Sequence, residues 1–204
     1  MNAAPRRRKD PLTFDRWDRW GLTALLGLAA VVTVLGGVVG PVRDWVAGAP
    51  VRVEAHAPVS VPRLDAAGVQ HGLATFDIEV PAVGGGLRLL SLLPGVLVAL
   101  LVVVGGWLVL RIMRTVAAGE PFAAVNVTRM RALAMVLVLG SAVVFFLELS
   151  VRGALLGSAE LGGLEPGVVL DVPWLPMLSG LVLAMLAEAF RTGSRLRDDV
   201  EGLV

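Results

Sequence analysis

The chain has no cysteine. That excludes a disulfide framework, a thiolate metal site and a cysteine nucleophile. It has two histidines, His56 and His71, too few for a histidine-based metal centre without carboxylates beside them. Lysine occurs once, as Lys9, so the basic side chains are almost all arginine. Charge itself is scarce: 17% of the 204 residues are charged and 56% are hydrophobic. Mean hydropathy is +0.78. A soluble domain is about half apolar and about a quarter charged, so membrane is the first class to test. The net charge of +1 argues neither for nor against an acidic partner. There is no paired-histidine motif, phosphate loop, G-x-S-x-G or metal-ligand spacing. The expectation is a protein that is not an enzyme and needs no cofactor or metal.

What is present is a set of long apolar runs. Leu22 to Val42 and Leu89 to Leu110 contain no charge. Each has the roughly 20 residues a membrane-spanning helix requires. A secretory signal peptide competes for the first run, because Ala47-Gly48-Ala49 has the form of a cleavage site. The run is too long for a signal core, so a span is preferred. Trp17 and Trp20 precede it, where interfacial aromatic residues belong. A third span is expected over 132–151 and a fourth over 173–190, opened by Pro173, Trp174 and Pro176, which a first turn accepts. Pro94 falls near the outer end of the second, where a helix tolerates proline best. Gly36 and Gly40 in the first have the G-x-x-x-G spacing that lets helices approach closely, although in so glycine-rich a chain such spacings also arise by chance.

Orientation follows from where the cations lie. Thirteen Lys/Arg fall in residues 1–21, the 111–131 turn and the 191–204 tail; five (Arg43, Arg52, Arg63, Arg88 and Arg152) fall in the longer 43–88 and 152–172 loops. The positive-inside bias then makes both termini and the turn cytoplasmic and the two loops external. The fold class expected is an all-α membrane protein: four transmembrane helices in one domain over 22–204, preceded by a basic cytoplasmic segment, with a small extracytoplasmic β-hairpin or sheet. That sheet is read from alternation. Val51, Val53, Ala55 and Ala57 alternate with Arg52, Glu54 and His56; Phe76, Ile78 and Val80 alternate with Asp77 and Glu79. Period two marks half-buried strands, here joined through 65–72, and alone they would be marginal, so they should rest on the helix ends. Residues 168–172 are a candidate third strand. The tail predicts an amphipathic helix, with Phe190, Gly193, Leu196, Val200 and Leu203 on one face.

The stretch from Arg111 to Arg131 organises the chain. Arg111, Arg114, Arg129 and Arg131 face a single acid, Glu120. Gly119 suits the left-handed residue that ends a helix. Pro121 suits the first turn of the next, Phe122 an apolar anchor, and Asn126 a helix cap. These roles need no catalysis. Glu148 and Glu188, in or beside the spans, are the candidate intramembrane functional acids; the plainer expectation is interfacial solvation, or pairing of Glu148 with Arg152 or of Glu188 with Arg191. The external histidines are candidates for metal or pH sensing, which surface histidines rarely do. The turn arginines need no nucleic acid to explain them, so no direct contact with it is expected. Asn126-Val127-Thr128 matches a glycosylation acceptor but lies on the cytoplasmic side.

Gly119-Glu120-Pro121-Phe122, followed by Asn126, Arg129 and Arg131, resembles the turn of a bacterial family of four-span membrane proteins known only as a domain of unknown function, whose pattern is G-x-P-F-x-x-x-N-x-x-R-x-R. Phe190, Gly193, Leu196 and Asp199 fit its F-x-x-G-x-x-L-x-x-[DE] ending. Met130 stands where leucine is commoner, a volume-conserving change. The resemblance runs from about residue 20 to the end. It implies a bacterial inner-membrane protein, often encoded beside a small helix-turn-helix regulator, hence an anchor or sensor for that regulator. The docking residues expected are Arg111, Arg114, Phe122, Asn126, Arg129, Arg131, Arg195 and Leu196. The lipid bilayer and a second copy of the chain are the other candidate partners. A small transporter or channel subunit using Glu148 or Glu188 is the alternative; the Val, Leu, Ala and Gly of the mid-membrane positions count against it.

Overall fold

A computed structural model describes residues 16–69, 72–81, 83–120, 123–159 and 169–201, the last seven as backbone. Helix α1 (Arg16–Val34) passes through a π-helical turn, Leu35–Val39, into α2 (Gly40–Val46). Strand β1 (Val51–Pro58), a short α3 (Pro62–Ala66) and β2 (Leu73–Val80) follow. Then come α4 (Gly85–Ala117) and α5 (Ala124–Met135), a second π turn, Val136–Gly140, α6 (Ser141–Ser158) and α7 (Trp174–Glu201). Four stretches are long and apolar enough to cross a membrane: Trp17–Val46, Gly85–Ala117, Ala124–Ser158 and Trp174–Ser194. All extend past the uncharged runs of the sequence. Charged and aromatic residues at their ends, such as Trp17, Arg88, Arg114 and Arg129, are helical too, because a helix continues past the apolar core into the polar interface. The 33 residues of α4 amount to about 50 Å of helix.

The spans pack in chain order. The first lies on α4, α4 on α5 and α6, and α7 on α5 and the second π turn. Glycine sets the closest approaches. A Cβ placed on Gly95 would stand 2.0 Å from the carbonyl oxygen of Gly37, so only glycine fits there. Pro41 has no N–H to offer that carbonyl four residues back, and the π turn before it makes room for its ring. Gly95 therefore meets a backbone oxygen that has lost its usual helical donor. The expected Gly36/Gly40 pair does not make this contact: a Cβ on Gly36 would meet no neighbouring helix within 4 Å, and one on Gly40 only the Leu35 carbonyl oxygen, 3.4 Å away. Gly180 of α7 similarly nests on the second π turn, where a Cβ would be 2.7 Å from Val138. Pro94 is buried in the body of α4, more than two turns from its start, rather than at its outer end.

The two strands pair antiparallel, from Val51 opposite Val80 to Pro58 opposite Leu73. Val53 then faces Ile78 and Ala55 faces Phe76, so the apolar positions of both strands share one side, as their alternation requires. That side rests on helix ends: Val53 packs with Val151 and Leu155 of α6, flanked by Leu87 and Leu90 of α4. Arg52 and Glu79 form a cross-strand ion pair of 3.0 Å on the opposite face. The link between strands is wider than 65–72 and includes α3. Residues 169–172 form no strand, and Val168 lies outside the described residues. The molecule thus has a sheet end and, at the other end of the helices, a turn end.

Candidate functional site

At the turn end, α4 closes with a left-handed glycine. Gly119 has φ +88°. Its N–H donates to Val116 O at 3.0 Å and the N–H of Glu120 donates to Thr115 O at 3.2 Å. These two bonds satisfy the last carbonyls of the helix in the six-to-one and five-to-two pattern that Gly at this position permits. Helix α5 begins five residues later, so most of the 111–131 stretch is helical and only a short connection turns the chain.

Asn126 corrects one expectation. It does not cap α5; the cap position is Ala123, which makes no side-chain cap bond, and Asn126 sits in the first turn. Its side chain is 1% exposed. Nδ2 donates to Glu120 O at 3.2 Å, and Oδ1 accepts from Arg129 Nη1 at 3.4 Å. The same Arg129 nitrogen donates to Thr115 Oγ1 at 2.7 Å and to Arg111 O at 3.1 Å. A cation near the C-terminal end of α4 also complements the partial negative charge there. Asn126 and Arg129 together staple α5 to α4 and the turn.

A second group joins α5 to α7. Glu188 accepts from Arg131 Nη2 at 2.6 Å through one oxygen and from Arg191 Nη2 at 2.5 Å through the other. The pairing with Arg191 was legible one turn away in the sequence; the pairing with Arg131, 57 residues distant, required the fold. Glu148 has no ion pair among the described residues: it lies at the sheet end with Arg152, one turn on, and the expected pairing of the two is not formed. Arg111 stacks over Trp107, 4.9 Å from the ring centroid. Arg114 lines a cavity of about 540 Å³ with Arg19 and Trp20 of the first span.

Of the expected docking residues, Arg129 and Arg131 are spent largely on internal bonds, and Asn126 is buried. Arg111 and Arg114 remain exposed. Pro121 and Phe122 lie outside the described residues, as do His71 and the segment before Arg16; for Arg195 and Leu196 the backbone is helical and the side chains lie outside them. Thr115 was missed because a lone threonine late in a helix carries no sequence signal. Among the described residues no three His, Asp or Glu side chains come together as metal ligands would.

Four apolar helices and the small sheet define the class: a multi-pass membrane protein. Compared with protein-family models, curated proteins and solved structures, the chain matches none.

Proposed function

We propose that this chain is a non-enzymatic anchor in a bacterial inner membrane that holds a small soluble regulator at its turn end. Both termini and the turn are cytoplasmic in this proposal and the sheet faces outward, in keeping with the arginine distribution. The observation that carries the docking surface is α7. The helix runs unbroken from Trp174 to Glu201, past the Glu188 ion pairs, although charge begins at Glu188 and is dense from Arg191 onward. A charged helical extension thus continues α7 past its packing against α5, at the turn end where Arg111 and Arg114 are exposed. The resemblance to four-span proteins encoded beside helix-turn-helix regulators supplies the kind of partner.

The hydroxyls of the spans argue against a transport pathway. Thr33 donates to Ala29 O, Ser150 to Phe146 O and Ser179 to Leu175 O, at 2.7–2.8 Å. Each is satisfied by its own helix, four residues back. They form no polar track for an ion.

The test is Arg195→Glu and Leu196→Asp in one chain. The detergent-purified double variant is expected to keep its helical circular dichroism and its elution volume while losing co-purification of the co-expressed regulator. Full retention of the regulator, or no regulator bound by the unmodified chain, contradicts the anchor.

A further inference from the structure

The sheet end encloses an open cavity of about 790 Å³ between the end of the first span, β1, the start of α4 and the end of α6. That is the size range of small-ligand pockets. Arg88 lines it and is only 9% exposed. Its Nη1 donates to Trp45 O at 3.2 Å and its Nη2 to Ala49 O. Its Nε is buried with no partner. Among the described residues no carboxylate pairs with it. An arginine does not shed its proton, and carbonyl dipoles only partly offset a whole charge withdrawn from water. Arg88 is thus a largely buried positive charge on the cavity wall with no carboxylate beside it, and its Nε, enclosed by the protein, makes no hydrogen bond.

The other charges around the cavity narrow the ligand. Arg43 lies 3.6 Å from Asp44, and Arg52 3.0 Å from Glu79, so these pairs neutralise themselves. Glu54 is turned toward His56, 3.8 Å away. Arg152 and Glu148, one turn apart on α6, both line the cavity without forming an ion pair. With Arg88 they leave two arginines, Arg88 and Arg152, without a carboxylate partner; the lining as a whole sets Arg43, Arg52, Arg88 and Arg152 against Asp44, Glu54, Glu79 and Glu148, so an anion is drawn by these two arginines and not by an overall excess of charge. Apolar wall residues, Leu92, Pro94, Val151 and Leu155, adjoin them.

We propose that this cavity binds a monoanionic phosphodiester, with Arg88 and Arg152 on the phosphate and Glu148 accepting from hydroxyls of the attached group. A phosphatidylglycerol headgroup has this chemistry, and so does a free glycerophosphodiester. The site is at the opposite end of the molecule from the docking surface and does not depend on it.

The test uses the full chain purified in detergent, with binding followed by native mass spectrometry and thermal shift. The probes are short-chain phosphatidylglycerol, short-chain phosphatidylcholine and glycerophosphoglycerol. Phosphatidylglycerol is expected to bind about tenfold more tightly than zwitterionic phosphatidylcholine, which has the same phosphate for Arg88 and Arg152 but no headgroup hydroxyl to donate to Glu148. If phosphatidylglycerol alone binds, the source is lipid; if glycerophosphoglycerol binds as tightly, the source is soluble. Arg88→Met should abolish binding, and Arg152→Gln, at a partly exposed position that the fold tolerates, should weaken it by about tenfold. Equal affinity for phosphatidylcholine, no binding of either phosphodiester, or unchanged binding by Arg152→Gln overturns the proposal.

Discussion

Asn126 is buried in the turn and accounts for one carbonyl of the connection and one N–H of Arg129. Replacing it with alanine removes both bonds, while Glu120 O still accepts from Ala123 N–H and Arg129 Nη1 still donates to Thr115 Oγ1 and Arg111 O. Each lost hydrogen bond is worth about 0.5–1.5 kcal/mol, so Asn126→Ala is expected to lower the unfolding free energy in detergent by about 1–3 kcal/mol. Unchanged stability on denaturant titration would mean that the buried amide is not the staple. Glu188 is different, because it is about half exposed. Glu188→Gln should cause a smaller drop in melting temperature than Asn126→Ala, since solvent screens such pairs. Glu188→Lys, which sets three cations together, should cost more, and Arg131→Glu combined with Glu188→Arg should recover most of the loss. At this scale the sequence was a partial guide. It marked Asn126, Arg129 and Arg131 as special, and Gly119 takes the left-handed conformation expected. It misassigned what Asn126 does, because a cap and a tertiary hydrogen bond draw on the same short polar residue. Nor did it reveal that Arg88 would be enclosed, since burial of a residue at the edge of an apolar run depends on what folds over it.

The elements were easier to read than their ends. Apolar runs of span length have few alternatives in a chain this poor in charge, and the alternating strands appear with the anticipated face inward. Their register follows from placing Val53 and Ala55 on the helices. Helix limits were short by several residues, because uncharged runs mark the hydrocarbon core and a helix does not stop there. Close helix approach was legible only as glycine content: Gly37, not Gly36 or Gly40, meets Gly95. The difference comes from Pro41 and the π turn, which rotate the first span after Val34, and no fixed glycine spacing encodes that rotation. Gly95→Leu should therefore split the first span from α4, with a cost of about 1–3 kcal/mol or more from overpacking. Gly36→Leu should be nearly neutral. Comparable losses for both variants in a thermal melt would show that the helices do not cross at Gly95.

For the whole molecule the central proposal is directional: the sheet end outside and the turn end, with both termini, in the cytoplasm. The docking surface proposed for α7 would need this orientation, because the regulator proposed for it is soluble. The absence of cysteine allows a direct measurement. Thr75→Cys, on an exposed position of β2, and Ala118→Cys, in the exposed turn, each introduce the only thiol in the chain. Intact cells are treated with a membrane-impermeant maleimide, then permeabilised and treated again. Thr75→Cys is expected to react before permeabilisation and Ala118→Cys only after it. The reverse order would invert the protein in the membrane, and labelling of both thiols in intact cells would place both ends on one side and contradict the arrangement of the spans.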